Sequence, residues 1–446
     1  MEKQLTPAQK RAVQCEAADL CVTAGAGSGK TRVLVERFIH LVTRKGVPLD
    51  RILAITFTEK AAAEMKERIA RAFIEAGRED LRREVEFAYI STIDAFCARI
   101  LRENALEAEV DPLFTVLEAS DADRALEEAA DEVLLARSGE EVAGWLEATG
   151  VQDLTSTLCG LHAKVRASGM PLEPATLDPP PRKETGLAEV GAAVERVQSA
   201  LRAEKLTPLQ VEKGNAQLRL VAEIEAIPPS APAPEIAAAF ARFQGRIILT
   251  GIRNESFKGA LTAVRESLKK CLAERLEEKV RPFRALLGEL LVSLEAAYDR
   301  KKREAAVLDF SDLEWKTRGL LAGSPQVRRR IAAKFDHIFL DEFQDTNPLQ
   351  MEILDLLHAG NGFFAAGDAK QSIYGFRDAD VGIVAGFRER VEPKGGHISL
   401  RENFRSRPEI VKFSNRLFGS GLWLRGVVPF EEMVALTTSP MEMSPM

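Results

Sequence analysis

The sequence predicts an α/β fold, a parallel sheet interrupted by a large helical insertion. Three observations carry this. Residues 1–105 alternate short apolar runs with longer segments of helical periodicity. The apolar runs lack polar alternation, which is the pattern of strands covered on both faces in a parallel sheet. From about 106 to 305 strand signals nearly vanish in favour of long helical patterns, and strand–helix alternation then resumes.

Taken in order, the opening segment MEKQLTPAQKRAV is polar, has helical spacing and lacks the apolar stretch of a secretion signal. ADLCVTA (18–24) is the first strand and TRVLVERFIHLV (31–42) the helix after it. RILAITF (51–57) with EKAAAEMKERIARAF (59–73), and FAYISTI (87–93) with DAFCARIL (94–101), repeat the pair. In the insertion, DADRALEEAADEVLLARSG and SLKKCLAERLEEKVRPFRALLGELLVSLEAAYDRKKREAA are helical. PLEPATLDPPPRKE (171–184) and IPPSAPAPE (227–235) read as loops between helices. HIFLDEF (337–343), GFFAAGD (362–368) and HISL (397–400) restore strands, and RPEIVKFSNRLF (407–418) a helix. The last stretch, TTSPMEMSPM, carries no element signal and reads as a frayed end. The expected domains are 1–105 with 306–385, an inserted helical subdomain 106–305, and the incomplete start of a second domain over 386–446.

A chain of 446 residues exceeds one ordinary core, so more than one domain is expected. A net charge of −6 gives no global argument for a nucleic-acid partner and leaves only a local basic groove open. Five cysteines at irregular spacing form no C-x-x-C pair, which points to reduced thiols and a cytoplasmic setting rather than a metal site. No uncharged apolar run approaches the roughly 18 residues of a membrane span.

After the first strand comes AGAGSGKTR, that is Ala24, Gly25, Ala26, Gly27, Ser28, Gly29, Lys30, Thr31 and Arg32. The pattern G-x-x-x-x-G-K-[ST] is met except at its first position, where Ala24 adds one methyl group. Glycines let successive backbone N–H groups turn inward onto phosphate oxygens. Lys30 would reach the β- and γ-phosphates of ATP, the Thr31 hydroxyl would ligate Mg²⁺, and the following helix adds its positive end.

The segment HIFLDEFQDTNPLQ (337–350) sets Asp341, Glu342 and Asp345 within five positions of each other, directly after an apolar strand. Carboxylates there are costly unless a cation faces them. Alone, Asp-Glu after a strand is equally the pattern of a solvated turn. A phosphate loop on a neighbouring strand supplies the cation. Asp341 would then hold Mg²⁺, and Glu342 would orient and deprotonate the water that attacks the γ-phosphate.

Together these residues resemble superfamily-one DNA helicases of the UvrD/Rep class, and within it the RecB/AddA helicase–nuclease subunits. LTPAQKRAV (5–13) resembles the motif in which Gln9 would read adenine. AITFTEKAAAEMKERI (54–69), with Phe57 and Thr58, and ISTIDAFC (90–97), with Thr92, resemble motifs that grip single-stranded DNA. GDAKQSIYGFRDAD (367–380) resembles the motif that couples γ-phosphate to DNA, through Gln371, Tyr374, Phe376 and Arg377. LRENFRSRPEIV (400–411) resembles the fourth motif, in which Arg405 would be an arginine finger and Phe404 would lie against adenine. Lys370 before QSIY and the long insertion look like the RecB/AddA branch. The resemblance implies a P-loop, RecA-like motor domain that uses ATP and Mg²⁺, 3′-to-5′ movement and a role in double-strand-break repair. It also implies single-stranded DNA, duplex DNA ends and a second helicase–nuclease subunit as partners, with no membrane.

Asp94 stands where the family often has histidine, Phe404 where tyrosine is common and Phe376 where tryptophan is common. Flat rings at Phe57 and Phe376 suit stacking on any base. Each can also be read as a core aromatic, and Arg405 as a surface residue. The family's fifth and sixth motifs and a nuclease cluster do not follow, so the chain is expected to be the N-terminal part of a longer enzyme. Two rival readings are a non-motor P-loop scaffold in DNA repair and a small-molecule kinase. Absence of an acceptor-substrate lid disfavours the kinase.

Overall fold

The computed structural model describes residues 4–137, 139–149, 151–173, 186–203, 206–228, 230–244, 252, 254–375, 379–419 and 432–435. The chain divides into two compact units. One comprises residues 1–119, 166–169 and 302–446, and the other 120–165 and 170–301.

The first unit is built on a six-stranded sheet. Its strands are β1 (Asp19–Ala24), β2 (Ile52–Thr56), β3 (Tyr89–Thr92), β4 (His337–Leu340), β5 (Gly362–Gly367) and β6 (His397–Leu400). They lie in the order β3-β2-β4-β5-β1-β6, and every neighbouring pair is parallel. Side-chain alternation divides the core between the two faces. Ile338 and Leu340 join Leu53, Ile55, Phe96 and Phe363 on one face. Phe339 joins Leu20, Val22, Ile52, Ala54 and Phe364 on the other. With both faces buried, the strands need no polar residues, which is why they read as continuous apolar runs.

The helices start where their caps dictate. Thr6 and Gln9 form a reciprocal capping box at the head of helix Pro7–Gln14. Thr58 caps Glu59–Glu75 and Thr92 caps Ile93–Glu103, each hydroxyl accepting a backbone N–H three residues on. Helix Lys30–Lys45 springs directly from the loop after β1.

Two expectations need correction. The strand HISL does not open a second sheet. It is β6, paired with β1 from Cys21↔His397 to Ala24↔Leu400. Its reason is packing, because Leu400 and Ile398 enter the same apolar layer as Val22 and Ala24. The helical unit begins at 120 rather than 106. Thr115–Val116 pairs with Val307–Leu308, and Phe114 and Leu308 are buried in the core of the sheet.

Among its described residues the second unit forms helices and no strand, and the chain's helix Glu255–Glu304 runs for 50 residues. It holds two apolar clusters. Val197, Leu220, Ile224, Phe257 and Leu261 centre one, and Leu126, Trp145, Leu158, Leu294 and Tyr298 the other. The expected loop at 227–235 gives way to a helix at Ala233. Residues 174–184 of the other proline-rich stretch, and the frayed end 437–446, lie outside the described residues. Among the described residues, no helix is long and apolar enough to cross a membrane.

Candidate active site

The loop after β1 has the backbone shape of a phosphate cradle. Gly27 and Gly29 have φ of 73° and 84°, the left-handed region that glycine occupies freely. Ser28 closes the turn by donating both its N–H and its hydroxyl to the Gly25 carbonyl, at 3.2 and 2.6 Å. Gln9 braces the loop from outside, its amide donating to the Ser28 carbonyl at 2.9 Å while accepting from Thr6 N–H at 3.0 Å. Ala24 is buried at the end of β1, so its methyl group packs in the core. Arg32 lies one turn into the helix, facing Glu36.

One strand, β5, separates β1 from β4, and the end of β4 faces the loop. Lys30 Nζ donates to Glu342 Oε2 at 2.8 Å. Thr31 Oγ1 donates to Asp341 Oδ2 at 3.5 Å. The fold therefore brings the loop lysine to the expected base, and the loop hydroxyl to the expected metal carboxylate. Asp341 is 4% exposed. Burial, and then the charge of Glu342, push its pKa up to about 6. A buried carboxylate in need of a cation, with a hydroxyl oxygen beside it, fits Mg²⁺, a hard ion that takes oxygen ligands and keeps several waters.

Glu342 behaves differently. Burial acts to raise its pKa, but Lys30, then Gln344 and Arg405, outweigh that and hold the carboxyl below its ordinary value. Its backbone is left-handed, with φ 51° and ψ 44°. That conformation is strained for a non-glycine residue, and it recurs at sites where a side chain must be aimed.

The fourth-motif segment is fastened to the cradle. Phe404 N–H donates to the Gly27 carbonyl at 2.9 Å, and the Asn403 amide donates to the Ala26 carbonyl at 2.8 Å. Asn403 Oδ1 in turn accepts the N–H groups of Arg405 and Ser406, at 2.9 and 2.8 Å. A Cβ on Gly27 would stand 2.6 Å from Arg405 Cβ, so the glycine also makes room for this segment. Arg405 thus belongs to the unit that holds the loop, and not to the start of a second domain expected over 386–446. Sequence reasoning missed Asn403. Its signal was an amide residue just before the expected arginine finger.

Gln371 donates to Asp368 Oδ2 at 2.7 Å, within the turn that follows β5. Of the expected DNA-facing residues, Phe57 and Tyr374 meet, with ring centroids 4.6 Å apart and planes tilted by 37°. Both are partly exposed, which separates Phe57 from the core. Thr58 uses its hydroxyl to cap a helix. Thr92 is buried, accepts from Ala95 N–H as a helix cap and donates to Glu59 at 2.7 Å. Phe376 and Arg377 lie outside the described residues.

A family model for the UvrD/REP helicase N-terminal domain matches residues 5–392. The chain belongs to the UvrD/REP helicase family. Its curated relatives in this family include proteins named as ATP-dependent helicase/nuclease subunits of the A type. The one from Exiguobacterium sibiricum is 31% identical, over 94% of this chain and 40% of the relative. That from Syntrophomonas wolfei is 30% identical, over 92% and 37%. That from Alkaliphilus oremlandii is 28% identical, over 97% and 41%. The chain therefore spans about two fifths of the length of these UvrD/REP relatives.

Proposed function

We propose that this chain is the ATP-hydrolysing motor part of a DNA helicase that translocates on single-stranded DNA during recombination and double-strand-break repair. The intact protein would be a helicase–nuclease subunit of the RecB/AddA branch, working in the cytoplasm on duplex DNA ends beside a second subunit. The observation that carries the reading is the meeting of Lys30 with Glu342 alongside Thr31 with Asp341, across the ends of β1 and β4.

The residues divide the work as follows. The N–H groups of the loop and Lys30 bind the β- and γ-phosphates of ATP, so Lys30 exchanges Glu342 for phosphate. Thr31 and Asp341 hold Mg²⁺, which neutralises charge on the phosphate oxygens when bound. Glu342, freed from Lys30, orients water against the γ-phosphate and takes its proton. Arg405 reaches the γ-phosphate from the segment fastened to Gly27, where it offsets the charge that develops in transfer. Gln9 and Phe404, each hydrogen-bonded to a loop carbonyl, would take the base of ATP, as the family resemblance implies. Phe57 and Tyr374 would offer stacking faces to DNA bases, a task the family resemblance also gives to Phe376 and Arg377, and Gln371, on the turn after β5, would couple DNA to the γ-phosphate.

The rival from another class is an ATP-binding scaffold that does not turn over. ATP hydrolysis by the chain, with and without a single-stranded oligonucleotide, separates the two. The motor reading predicts hydrolysis that rises when the oligonucleotide is added. ATP binding with no hydrolysis under either condition would leave the scaffold.

A further inference from the structure

We infer that Gln344 is a positioning residue for ATP hydrolysis, whose side-chain amide aims the Glu342 carboxylate and ties it to the turn that carries Gln371. This rests on the ATPase reading above and adds a residue to it.

Gln344 is buried in the turn Phe343–Asp345, between the ends of β4 and β5. Its Nε2 donates to Glu342 Oε2 at 2.9 Å and to Asp345 Oδ2 at 3.1 Å. Its Oε1 accepts the N–H of Asp368 at 2.8 Å. Chemistry fixes the orientation of this amide, because ionised carboxylates only accept and a backbone N–H only donates. Glutamine supplies both the donors and the acceptor that these three partners need. Glutamate would set a third carboxylate against two others. Methionine would leave the Asp368 N–H buried and unpaired. Asparagine is one methylene short.

The surrounding backbone is shaped to the same end. A Cβ on Gly367 would stand 2.7 Å from Gln344 Oε1 and 3.1 Å from Phe343 Cβ, so only glycine admits the amide there. From Asp368 the connection continues, since its carboxylate accepts from Lys370 N–H at 3.1 Å and from Gln371 Nε2 at 2.7 Å. Glu342, Gln344, Asp368 and Gln371 form one hydrogen-bonded run across two strand ends.

The run explains how Glu342 stays aimed during turnover. Its Oε2 accepts from two donors, Lys30 and Gln344. Phosphate in the loop is a competing acceptor for Lys30. Gln344 is anchored on the Asp368 N–H, away from the phosphate loop. When Lys30 turns to phosphate, Gln344 keeps the carboxylate in place.

The test compares Gln344→Met, which keeps the shape and loses both donors, with wild type. One readout is affinity for a non-hydrolysable ATP analogue with Mg²⁺, and the other is single-turnover ATP hydrolysis with single-stranded DNA present. Affinity should stay within about threefold, while the rate falls by about tenfold or more, the usual weight of a hydrogen bond to a charged group. In the double variant Gln344→Met/Gln371→Ala, the loss should be smaller than the product of the single losses, because both residues belong to one run. Gln344→Glu keeps the acceptor for Asp368 but offers Glu342 no donor, and should be at least as slow as Gln344→Met. A wild-type rate in either single variant overturns the inference. So does a loss of affinity and rate by the same factor with a lowered melting temperature, which marks a merely structural role. A wild-type chain that does not hydrolyse ATP would instead sink the ATPase reading, and this inference with it.

Discussion

Lys30 and Glu342 lie 312 residues apart in the sequence and meet at 2.8 Å, ammonium against carboxylate. Lys30 is nearly buried, so its charge needs a partner at all times. In this structure the partner is the residue expected to act as base. On the proposed mechanism the phosphate-binding cation therefore also restrains the base, and phosphate would free one by engaging the other.

Asp341 gives a pH signature. Its carboxyl keeps a proton up to about pH 6, against an ordinary value of 3.8. The native state thus holds the proton more tightly than the unfolded chain. Its stabilising effect is complete below pH 3.8 and is lost as the pH rises through about 6. Asp341→Asn should therefore melt at a higher temperature than wild type at neutral pH, by at most about 3 kcal/mol in stability, with the difference closing in acid. Mg²⁺ should stabilise wild type and not the variant. Melting curves at neutral and acid pH check this, and a difference that does not change with pH would refute the assignment.

Gly27 and Gly46 form a matched pair for substitution. Their φ values are 73° and 72°, but a Cβ at Gly27 meets Arg405 at 2.6 Å while one at Gly46 meets nothing within 4 Å. Gly46→Ala should cost about 1 kcal/mol, the left-handed penalty alone. Gly27→Ala should cost more and should also slow ATP turnover, because the Asn403–Arg405 segment must move off the loop. Equal melting temperatures with equal turnover in the two variants would mean that the contact with Arg405 has no consequence.

Phe57→Ala removes one ring of the pair with Tyr374. If a base stacks there, affinity for a single-stranded oligonucleotide should fall by about 1–3 kcal/mol, measured by fluorescence anisotropy. The residual binding should strengthen as salt is lowered, since phosphate contacts release counterions. An unchanged dissociation constant would make the pair a packing feature only.

Much of this site was legible in the sequence because its chemistry is local. G-S-G-K-T and D-E each lie on a single strand end, and the parallel fold brings strand ends together. What escaped reading depends on distant partners. Gln344 looks like a spacer between carboxylates until Asp368 is placed beside it. Asn403 gains its purpose only from the carbonyl of Ala26, 377 residues away. The place of β6 in the first sheet was not legible, because periodicity gives a strand's faces and not its neighbours. The capping task of Thr92 was equally hidden, since nothing in the sequence pattern shows which hydroxyl closes a helix.

The exchange of Lys30 from Glu342 to phosphate is tested most directly by Glu342→Gln, with Lys30→Met as its counterpart. Titration calorimetry gives affinity for a non-hydrolysable ATP analogue, and single-turnover hydrolysis gives the rate. Glu342→Gln should bind the analogue at least as tightly as wild type, because Lys30 loses its competing carboxylate, while hydrolysis falls by on the order of a hundredfold or more. Lys30→Met should lose both. Wild-type hydrolysis in Glu342→Gln, or weakened binding of the analogue by that variant, would contradict the account.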